Sequence, residues 1–422
     1  MSKLDKMITK LCPDGVEYKT ISELFNTRNG YTPSKAKKEY WINGTIPWFR
    51  MEDIRENGRI LSKATQYVSE SAVKGSPFPA NSIIVATSAT IGEHALIKVP
   101  SLANQRFTYL MLKDEYKAYI DIMFIYYYCF KLDEYCKTCL NHGNFASVDM
   151  KKFAKFKFPV PPLEVQREIV RVLDSFTLLT AELTAELTAE LTARKKQYDF
   201  YRDKLLTHNQ EYPMKSLADL GKWAGGKTPA MAEKRFWEGG TIPWISSKDM
   251  KVSTLSDTQD HITEKAINEA SMTLFPENSI AIVTRSGILK HTFPVAYVPF
   301  KTTINQDIKI LVVNKEVLPR YAFHVIQGKG QDILTKTKKQ GGTVDSLDFQ
   351  KVLAYKVPVP PLDVQERLVQ VLDNFESICT DLNIGLPAEI KARQKQYEYY
   401  RDLLLTFAES GSMLVTDRQT DR

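Results

Sequence analysis

The sequence predicts an α+β fold in which two strand-rich domains repeat along the chain, separated by long helices that pair as an antiparallel coiled coil. Three observations predict it: one order of motifs occurs twice in the 422 residues, each copy contains short β-type runs bounded by turn signals, and each copy ends in a long stretch with helical apolar spacing. With 43% hydrophobic and 11% aromatic residues, the chain can bury a substantial core.

The first element of this prediction is the duplication. The segment GTIPWFRMEDI (44–54) returns as GTIPWISSKDM (240–250), and FPANSIIVATSATIG (78–92) returns as FPENSIAIVTRSGIL (275–289). NQRFTYLML (104–112) likewise corresponds to NQDIKILVV (305–313), so the motifs keep the same order in both copies. A repeat of roughly 200 residues is far longer than a solenoid unit, so it indicates domain duplication.

The motifs divide the chain into six predicted segments. Runs such as SIIVATS and SIAIVTRS predict strands, whereas the ends of both copies predict helices. In chain order the segments are an N-terminal arm (1–12), a first strand-rich domain (13–158), a central helical region (159–212), a second strand-rich domain (213–357), a C-terminal helical region (358–407) and a flexible tail (408–422).

The central helical region contains LTAELTAELTAELT (179–192). Each four-residue unit adds about 6 Å of helix and about 40° of net rotation. The second region keeps the same spacing between its flanking motifs without the repeat, which favours a constrained length over chance expansion; Gly385 and Pro387 there should weaken or kink the helix. We expect Leu183, Leu187 and Leu191 to pack on Leu382, Leu386 and Ile390. The full predicted apolar stripe is Leu179, Leu183, Leu187, Leu191, Ile378, Leu382, Leu386 and Ile390.

Charge, cysteines and hydropathy narrow the class of protein. The formal net charge is +7, from 57 basic and 50 acidic residues, which suits an anionic partner without requiring one. The five cysteines give no disulfide framework, and Cys136 and Cys139 have no second pair for a zinc site. We expect no metal site, no membrane segment and a cytoplasmic location.

The most conspicuous catalytic-type motif of the sequence stands in a context that argues against catalysis. The segment GKWAGGKT (221–228) matches the phosphate-loop pattern, but Pro229 follows it directly and its copy NTRNGYTP (26–33) lacks the lysine. No motif for base methylation or for metal-dependent hydrolysis is present, so we expect no catalytic residues. Two alternatives stay open: a nucleotide-binding enzyme that uses the GGKT loop, and a duplicated protein-binding scaffold.

Basic and amide side chains recur at matching points of the two copies, which favours DNA binding. Lysine neutralises phosphates, and Arg, Asn and Gln can contact base edges through paired hydrogen bonds. The candidate DNA-binding residues are Lys35, Lys37, Arg50, Arg106, Asn141 and Asn144 in the first copy, and Lys227, Ser246, Lys248, Arg285, Gln306, Lys338 and Lys339 in the second.

The motifs PVPPLEVQREIVRVLDSF (159–176) and ARKKQYDFYRDKLL (193–206) resemble those of the specificity subunits of type I restriction-modification systems, and the TAEL triplet is similar to that of the type IC branch. The resemblance covers nearly the whole chain. It implies two target-recognition domains that each read one half of a bipartite double-stranded DNA target, and helical regions that set the spacer and dock two methyltransferase subunits.

The same resemblance implies that restriction/translocase subunits complete the complex. It also implies that this chain is not an enzyme and holds no cofactor, because S-adenosylmethionine, ATP and Mg²⁺ are used by the partner subunits.

Overall fold

The computed structural model describes residues 3–141, 146–207, 212–339, 344–380 and 385–407. These residues fall into two compact units, one formed by the chain up to residue 184 together with the chain from residue 392, and the other by residues 185–391. Each predicted helical region is therefore divided between the units instead of forming a body of its own. The reason is that the two ends of each region are buried in different cores: Leu173 and Leu405 lie in that of the first unit, and Leu206 and Leu372 in that of the second.

The first unit begins with a helix where an arm was predicted. Leu4 and Ile8 of this helix are buried in the same cluster as Leu405 and Phe407. The elements of the first unit before the long helix are α1 (Lys3–Leu11), β1 (Tyr18–Thr20), α2 (Ile21–Leu24), β2 (Phe25–Asn29), β3 (Ile46–Phe49), α3 (Met51–Asn57), β4 (Ile60–Leu61), β5 (Tyr67–Val68), β6 (Ser82–Ala86), β7 (His94–Ile97), β8 (Leu102–Ala103), β9 (Phe107–Leu112), α4 (Ile122–Thr138), β10 (Leu140–Asn141), β11 (Ser147–Val148), α5 (Met150–Phe153) and β12 (Lys157–Pro159).

A five-stranded sheet in the order β2-β9-β6-β7-β4 forms the centre of the first domain, antiparallel except for the β7–β4 pair. A three-stranded sheet, β5-β3-β8, and two short strand pairs, β1-β12 and β10-β11, complete the domain. All five residues of β6 are buried, which explains why SIIVA reads as a continuous apolar run.

The long helix α6 (Leu163–Thr207) follows two prolines and is unbroken for 45 residues. Pro161 and Pro162 end β12 and leave the helix to begin at the next residue, as predicted. In the second unit the further elements are β13 (Met214–Ser216), β14 (Gly221–Gly225), β15 (Ile242–Ile245), β16 (Asp260–Ile262), α7 (Glu264–Glu269), β17 (Ser279–Val283), β18 (Val295–Val298), β19 (Thr303–Ile304), β20 (Ile308–Val313), α8 (Pro319–Gly328), α9 (Gly330–Thr337), α10 (Phe349–Ala354), β21 (Lys356–Pro358) and α11 (Leu362–Thr380).

The second domain repeats the first. Its sheet β14-β20-β17-β18 corresponds to β2-β9-β6-β7, its sheet β16-β15-β19 corresponds to β5-β3-β8, and the pair β13-β21 corresponds to β1-β12. Even the junction with the helices recurs: the Gln166 side chain accepts a hydrogen bond from the Asp121 backbone at 2.9 Å, and Gln365 accepts one from Leu318 at 2.9 Å. The predicted α+β class and internal duplication are confirmed.

Within each unit, helices of the two helical regions run antiparallel. The last helix is α12 (Leu386–Leu405). In the first unit the Thr177 hydroxyl lies 2.9 Å from the Tyr397 hydroxyl, and the Phe176 and Tyr400 rings are 6.3 Å apart. In the second unit the Tyr201 ring packs 6.2 Å from that of Phe375.

The C-terminal helical region contains two helices in the described residues, because α11 ends at Thr380 and α12 begins at Leu386. Pro387 occupies the first turn of α12, where its missing N–H costs no hydrogen bond. The expected interruption near Gly385 is thus where one helix begins. Leu382 of the predicted stripe lies outside the described residues.

The predicted stripe needs correction at two positions. Leu179 is 62% exposed and Ile378 is 47% exposed, whereas Leu187 is buried. Next to Ile378 the buried side chain of α11 is Cys379, one residue further along, so the inward face at this point is rotated by about 100° from the predicted one. Leu183, Leu191, Leu386 and Ile390 are half-buried. Among the described helices, none combines the length and hydrophobicity that a bilayer crossing needs.

Candidate nucleic-acid interface

The Gly-x-Thr-Pro loop of the first domain is fixed at three points. The Tyr31 backbone N–H donates to the carbonyl of Ala103 at 2.8 Å, and the Thr32 hydroxyl donates to the side-chain oxygen of Gln105 at 2.5 Å. The indole of Trp48 donates to the Tyr31 carbonyl at 3.0 Å. Three hydrogen bonds on two consecutive residues hold this loop in one conformation.

The GGKT loop of the second domain has the same three contacts. The Lys227 N–H donates to the Ile304 carbonyl at 3.0 Å, Thr228 donates to the side-chain oxygen of Gln306 at 2.5 Å, and the Trp244 indole donates to the Lys227 carbonyl at 3.1 Å. A Cβ on Gly226 would lie 1.8 Å from the Ile304 carbonyl oxygen, so only glycine fits.

These contacts contradict a phosphate-binding loop at GGKT. The preceding strand β14 pairs antiparallel with β20, and the loop continues through buried Pro229 without opening an α-helix. A phosphate loop requires a helix N-terminus at that point. Gly226, Lys227 and Thr228 therefore form a turn whose contacts recur in the first domain, where Tyr31 stands in place of the lysine.

A second turn follows β3 and β15 in the two domains. The Arg50 N–H donates to the buried Asp53 carboxylate at 2.7 Å, and the Ser246 N–H donates to Asp249 at 2.8 Å. The other oxygen of Asp53 accepts from the Thr65 N–H at 2.6 Å. One buried carboxylate thus fixes the backbone at each turn, and the residue whose N–H it binds differs between the domains, being Arg50 in the first and Ser246 in the second.

A third turn, at residues 104–106 and 305–307, connects the second turn to the central sheet of each domain. The Asn104 N–H donates to the Phe49 carbonyl at 3.0 Å, and the corresponding Asn305 N–H donates to Ile245 at 3.0 Å. The end of β6 continues the contact, since Thr87 donates to the Arg106 carbonyl at 3.0 Å. The three turns and this strand end therefore meet at one edge of each domain. The antiparallel pair β10–β11, or the Lys338–Leu347 bridge in the second domain, adjoins them.

We call this edge the loop face. In the first domain it comprises residues 30–37, 50–53, 87–91, 104–106, 139–141 and 146–148; in the second it comprises residues 226–233, 246–249, 284–288, 305–307, 338–339 and 344–347. The hairpin belongs to it because Val148 donates to the Thr87 carbonyl, and Leu347 to the Thr284 carbonyl, each at 2.9 Å.

The structure places the candidate residues of the first domain on this face. Lys35, Lys37 and Arg106 are exposed, as is Asn141 at the hairpin; Asn144 lies outside the described residues. The Lys37 ammonium lies 3.2 Å from the Tyr40 hydroxyl, a hydrogen bond that raises the pKa of Lys37 and keeps it protonated.

Arg50 is the most confined of these cations. Its guanidinium lies 5.8 Å from the Trp48 ring centroid and its Nε is 3.9 Å from a Glu52 oxygen. The Nε atom is buried and makes no hydrogen bond within the described part of the chain. The side chain is 25% exposed, so its outer edge faces solvent from a restrained position.

The candidate residues of the second domain differ in whether their side chains already have a partner within the protein. Lys227, Arg285 and Lys339 are exposed, and among the described residues no carboxylate lies within 4.0 Å of their cationic groups. Lys338 is committed, since its ammonium pairs with Asp345 at 2.9 Å. The remaining candidates are an exposed Lys248 that is 3.9 Å from Asp260, and Gln306, which is exposed but bonded to Thr228.

Ser246 is a weak candidate for DNA contact. It is only 6% exposed, and its hydroxyl donates to Asp249 at 3.0 Å. The serine therefore stabilises the turn from within, and the sequence pattern, which shows only residue type, could not reveal this.

A polar cluster in the second unit has the residue types of a metal site. His324, Asp373 and Glu376 bring ligand atoms within 4.8 Å of one another. However, Arg320 already donates to both Asp373 and Glu376, the latter at 2.6 Å, and the Tyr198 hydroxyl lies 3.1 Å from His324. Burial opposes ionisation of Asp373, but the hydrogen bonds from His324 and Arg320 outweigh it and lower its pKa. The cluster is a hydrogen-bonded network, with Arg320 as its cation, that joins α6 and α11 to α8.

Sequence reasoning missed two groups of residues. The first comprises the anchors Trp48, Trp244, Thr32 and Thr228, although their motifs were found as repeats. The second is a set of exposed apolar side chains on the helices, which helical periodicity alone treats as core. In the first unit these are Phe176, Leu178, Leu179, Tyr399 and Tyr400, and in the second unit they are Phe200, Tyr201, Val371 and Ile378.

The chain matches a protein-family model described as type I restriction modification DNA specificity domain, over residues 13–193 and again over residues 209–392. It is 55% identical over 399 residues to the EcoprrI specificity subunit of Escherichia coli, covering 90% of this chain and 92% of that protein. It is 44% identical over 278 residues to the EcoR124I/EcoR124II specificity subunit of Escherichia coli, covering 63% of this chain and 68% of that one.

Solved structures show the same fold at low sequence identity. A chain from a study of complex assembly in the type I R-M system aligns with a TM-score of 0.64 at 13% identity, covering 94% of this chain and 98% of that chain. The HsdS subunit from Thermoanaerobacter tengcongensis aligns with a TM-score of 0.50 at 13% identity, covering 94% and 97%.

Proposed function

Because this chain belongs to the type I restriction modification DNA specificity family and carries two copies of its domain, we propose that it is the DNA-recognition subunit of a type I restriction-modification complex. The observation that carries the proposal is the loop face, which is built by the same hydrogen bonds in both domains. Rigid loops with unpaired cations suit phosphate and base contacts, since little ordering is needed on binding.

Each loop face reads one half of a bipartite double-stranded target, and the helical regions set the spacer between the halves. The exposed lysines Lys35, Lys227 and Lys339 supply phosphate contacts, and Arg50, Arg106 and Arg285 are placed to contact bases. The continuous helix α6 contains the TAEL units, so its length is the variable that the spacer follows.

The exposed apolar helix residues are the docking sites for methyltransferase subunits. Phe200 and Tyr201 in one unit correspond in sequence to Tyr399 and Tyr400 in the other, so the chain offers two equivalent surfaces. Two copies of one partner fit this duplication. Restriction/translocase subunits then join, and the partners supply the S-adenosylmethionine, ATP and Mg²⁺ chemistry in the cytoplasm, while this chain is not an enzyme.

The test is the salt dependence of DNA binding by the complex with its methyltransferase partner. We expect the logarithm of the binding constant to fall linearly with the logarithm of salt concentration. Replacing Lys35 and Lys37 by alanine should make this slope shallower by about one for each phosphate that the lysines neutralise. The matched control is Lys98→Ala. This lysine is exposed and follows the end of β7 that is remote from the loop face. A salt-independent or absent DNA affinity would favour the protein-binding scaffold instead.

A further inference from the structure

Arg106 and Asp307 occupy one structural position on the two loop faces. The N–H of Arg106 donates to Asn104 Oδ1 at 3.0 Å, and the N–H of Asp307 donates to Asn305 Oδ1 at 3.0 Å. Their carbonyls accept from the end of the neighbouring strand, at 3.0 Å from Thr87 in the first domain and at 2.8 Å from the corresponding threonine in the second.

At both positions the backbone N–H and the carbonyl are hydrogen-bonded in the same way, but the side chain is cationic in the first domain and anionic in the second. Arg106 is exposed and Asp307 is half-buried. Within the described ranges neither side chain has an ion-pair partner within 4.0 Å, and the hydrogen bonds of the two residues are made by their backbone groups. Charge reversal on an otherwise repeated backbone indicates that the position differs because the two domains meet different ligands.

A carboxylate that serves neither the backbone nor an ion pair needs a specific reason to lie on a DNA-binding face. It repels phosphates, and it becomes favourable where it accepts a hydrogen bond from an amino group of the DNA. In the major groove the exocyclic amino groups of cytosine and adenine are the donors, whereas an arginine pairs with the O6 and N7 acceptors of guanine. The two side chains therefore suit complementary base edges.

In the second domain a cation lies beside Asp307, on the end of the neighbouring strand. Arg285 follows Thr284 in the second domain, where the first domain has Ser88 after Thr87. The Arg285 N–H also donates to the Asp307 carbonyl at 3.3 Å, so the two residues lie side by side. The second loop face thus keeps Arg285 for DNA contact, and the Asp307 side chain is left for a base.

We infer that Arg106 and Asp307 are equivalent specificity-determining residues: Arg106 contacts guanine in one half-site, and Asp307 accepts a hydrogen bond from the amino group of cytosine or adenine in the other half-site. The inference rests on the proposed function and adds the base chemistry of one position in each domain.

The experiment uses the complete methyltransferase complex. The methylated motif is determined by base-modification sequencing of the host genome for the wild type, Asp307→Arg and Arg106→Asp. Methylation rates are then measured on duplexes with each base pair of the two half-sites changed in turn. Wild-type discrimination between a C·G and an A·T pair at the affected position distinguishes cytosine from adenine as the partner of Asp307.

We expect Asp307→Arg to shift one position of one half-site towards guanine by about 10-fold or more in kcat/KM, and to leave the other half-site and the spacer unchanged. Arg106→Asp should shift one position of the opposite half-site away from guanine. The matched control is Glu277→Arg, which makes the same change of charge on an exposed residue before the far end of β17, and which should leave the motif unaltered.

Two results would overturn the inference while leaving the proposed function intact: an unaltered motif in Asp307→Arg, or a change that Asp307→Arg and Arg106→Asp make in the same half-site. If Asp307→Arg methylates no genomic site, its complex is used to select duplexes from a pool randomised in that half-site. Guanine enrichment at one position supports the inference, and its absence contradicts it. A wild-type complex without any bipartite motif contradicts the proposed function itself.

Discussion

At the residue scale, the hydrogen bonds of the Gly-x-Thr-Pro loops account for the most repeated letters of the sequence. Trp48 and Trp244 each donate to a loop carbonyl, and each is packed edge-to-face on a second tryptophan, with ring centroids 5.0 and 5.1 Å apart. A buried indole needs such an acceptor. The motif residues therefore build the loop face, and the residues between them are the proposed DNA contacts.

Gly226→Ala tests whether this loop must keep its close approach to β19. The new Cβ would overlap the Ile304 carbonyl and break the Lys227 and Thr228 hydrogen bonds, so we expect about 1–3 kcal/mol of lost stability and a large loss of methylation kcat/KM. The neighbouring Gly225→Ala is the control, because its Cβ meets only the flexible end of Lys309. Equal effects of the two substitutions would contradict this account.

Glu168→Gln tests the ion pairs that hold the first helix. The Glu168 carboxylate is buried and contacts Arg171 at 2.8 Å and Lys3 at 3.1 Å, which lowers its pKa from 4.5 to about 2. Because the folded-state pKa is the lower one, the stabilisation is complete above pH 4.5 and is lost as the pH falls towards 2.

The two cations are exposed to solvent, so we expect Glu168→Gln to cost only about 1 kcal/mol at pH 7, or about 2–4 °C in Tm. The measurement is thermal unfolding of wild type and variant at pH 7 and at pH 3. The difference in Tm should shrink at the lower pH. A difference that grows as the pH falls would show that the carboxylate is not stabilised by these cations.

At this scale the sequence patterns located the loops correctly but did not reveal what each side chain in them does. The repeats identified the loops, but Ser246 and Lys338 were predicted to contact DNA, and the structure commits them to Asp249 and Asp345. A sequence shows that a polar residue is present, whereas its partner depends on loops that are distant in the chain. Whether the exposed candidates contact DNA stays a prediction.

At the element scale, the helical regions combine a buried face with an exposed apolar face. Leu187 is buried and Leu179 is 62% exposed, although both begin identical TAEL-type units. Periodicity predicted the helix and its start after Pro162 correctly. It could not assign the faces, because a surface that docks a partner is as apolar as one that packs in the core.

Leu187→Asp and Leu179→Asp form a matched pair that separates the two faces. A charge at the buried Leu187 should lower the free energy of unfolding by about 2–4 kcal/mol. At Leu179 we expect a change within about 0.5 kcal/mol but weaker binding of the methyltransferase subunit. Urea unfolding and titration with the partner measure the two effects. Destabilisation by Leu179→Asp would show that this leucine packs in the core.

At the scale of the whole molecule, the sequence showed that the chain is duplicated. It did not show which segments fold together into each compact unit. Both strand-rich domains were predicted from repeated motifs. The structure adds that residues from 392 onward belong to the unit of the first domain, since Leu404 and Leu405 are buried in its core. Such a long-range pairing leaves no local pattern.

Removing one TAEL unit tests the role of α6 as a ruler. Deleting residues 184–187 shortens the helix by about 6 Å and rotates its end by about 40° while keeping the repeat in register. We expect the recognised spacer to become shorter and both half-sites to stay the same. Sequencing of methylated genomic sites checks both. An unchanged spacer would mean that the helix length does not set it.

The most direct test of the central claim is the methylation motif of the wild-type chain. It is co-expressed with its cognate methyltransferase subunit in a host free of adenine methylation, and the genome is sequenced with detection of modified bases. We predict a single bipartite motif with a fixed spacer, one half for each loop face. An assembled complex that methylates no defined motif would contradict the claim that the duplicated domains read DNA.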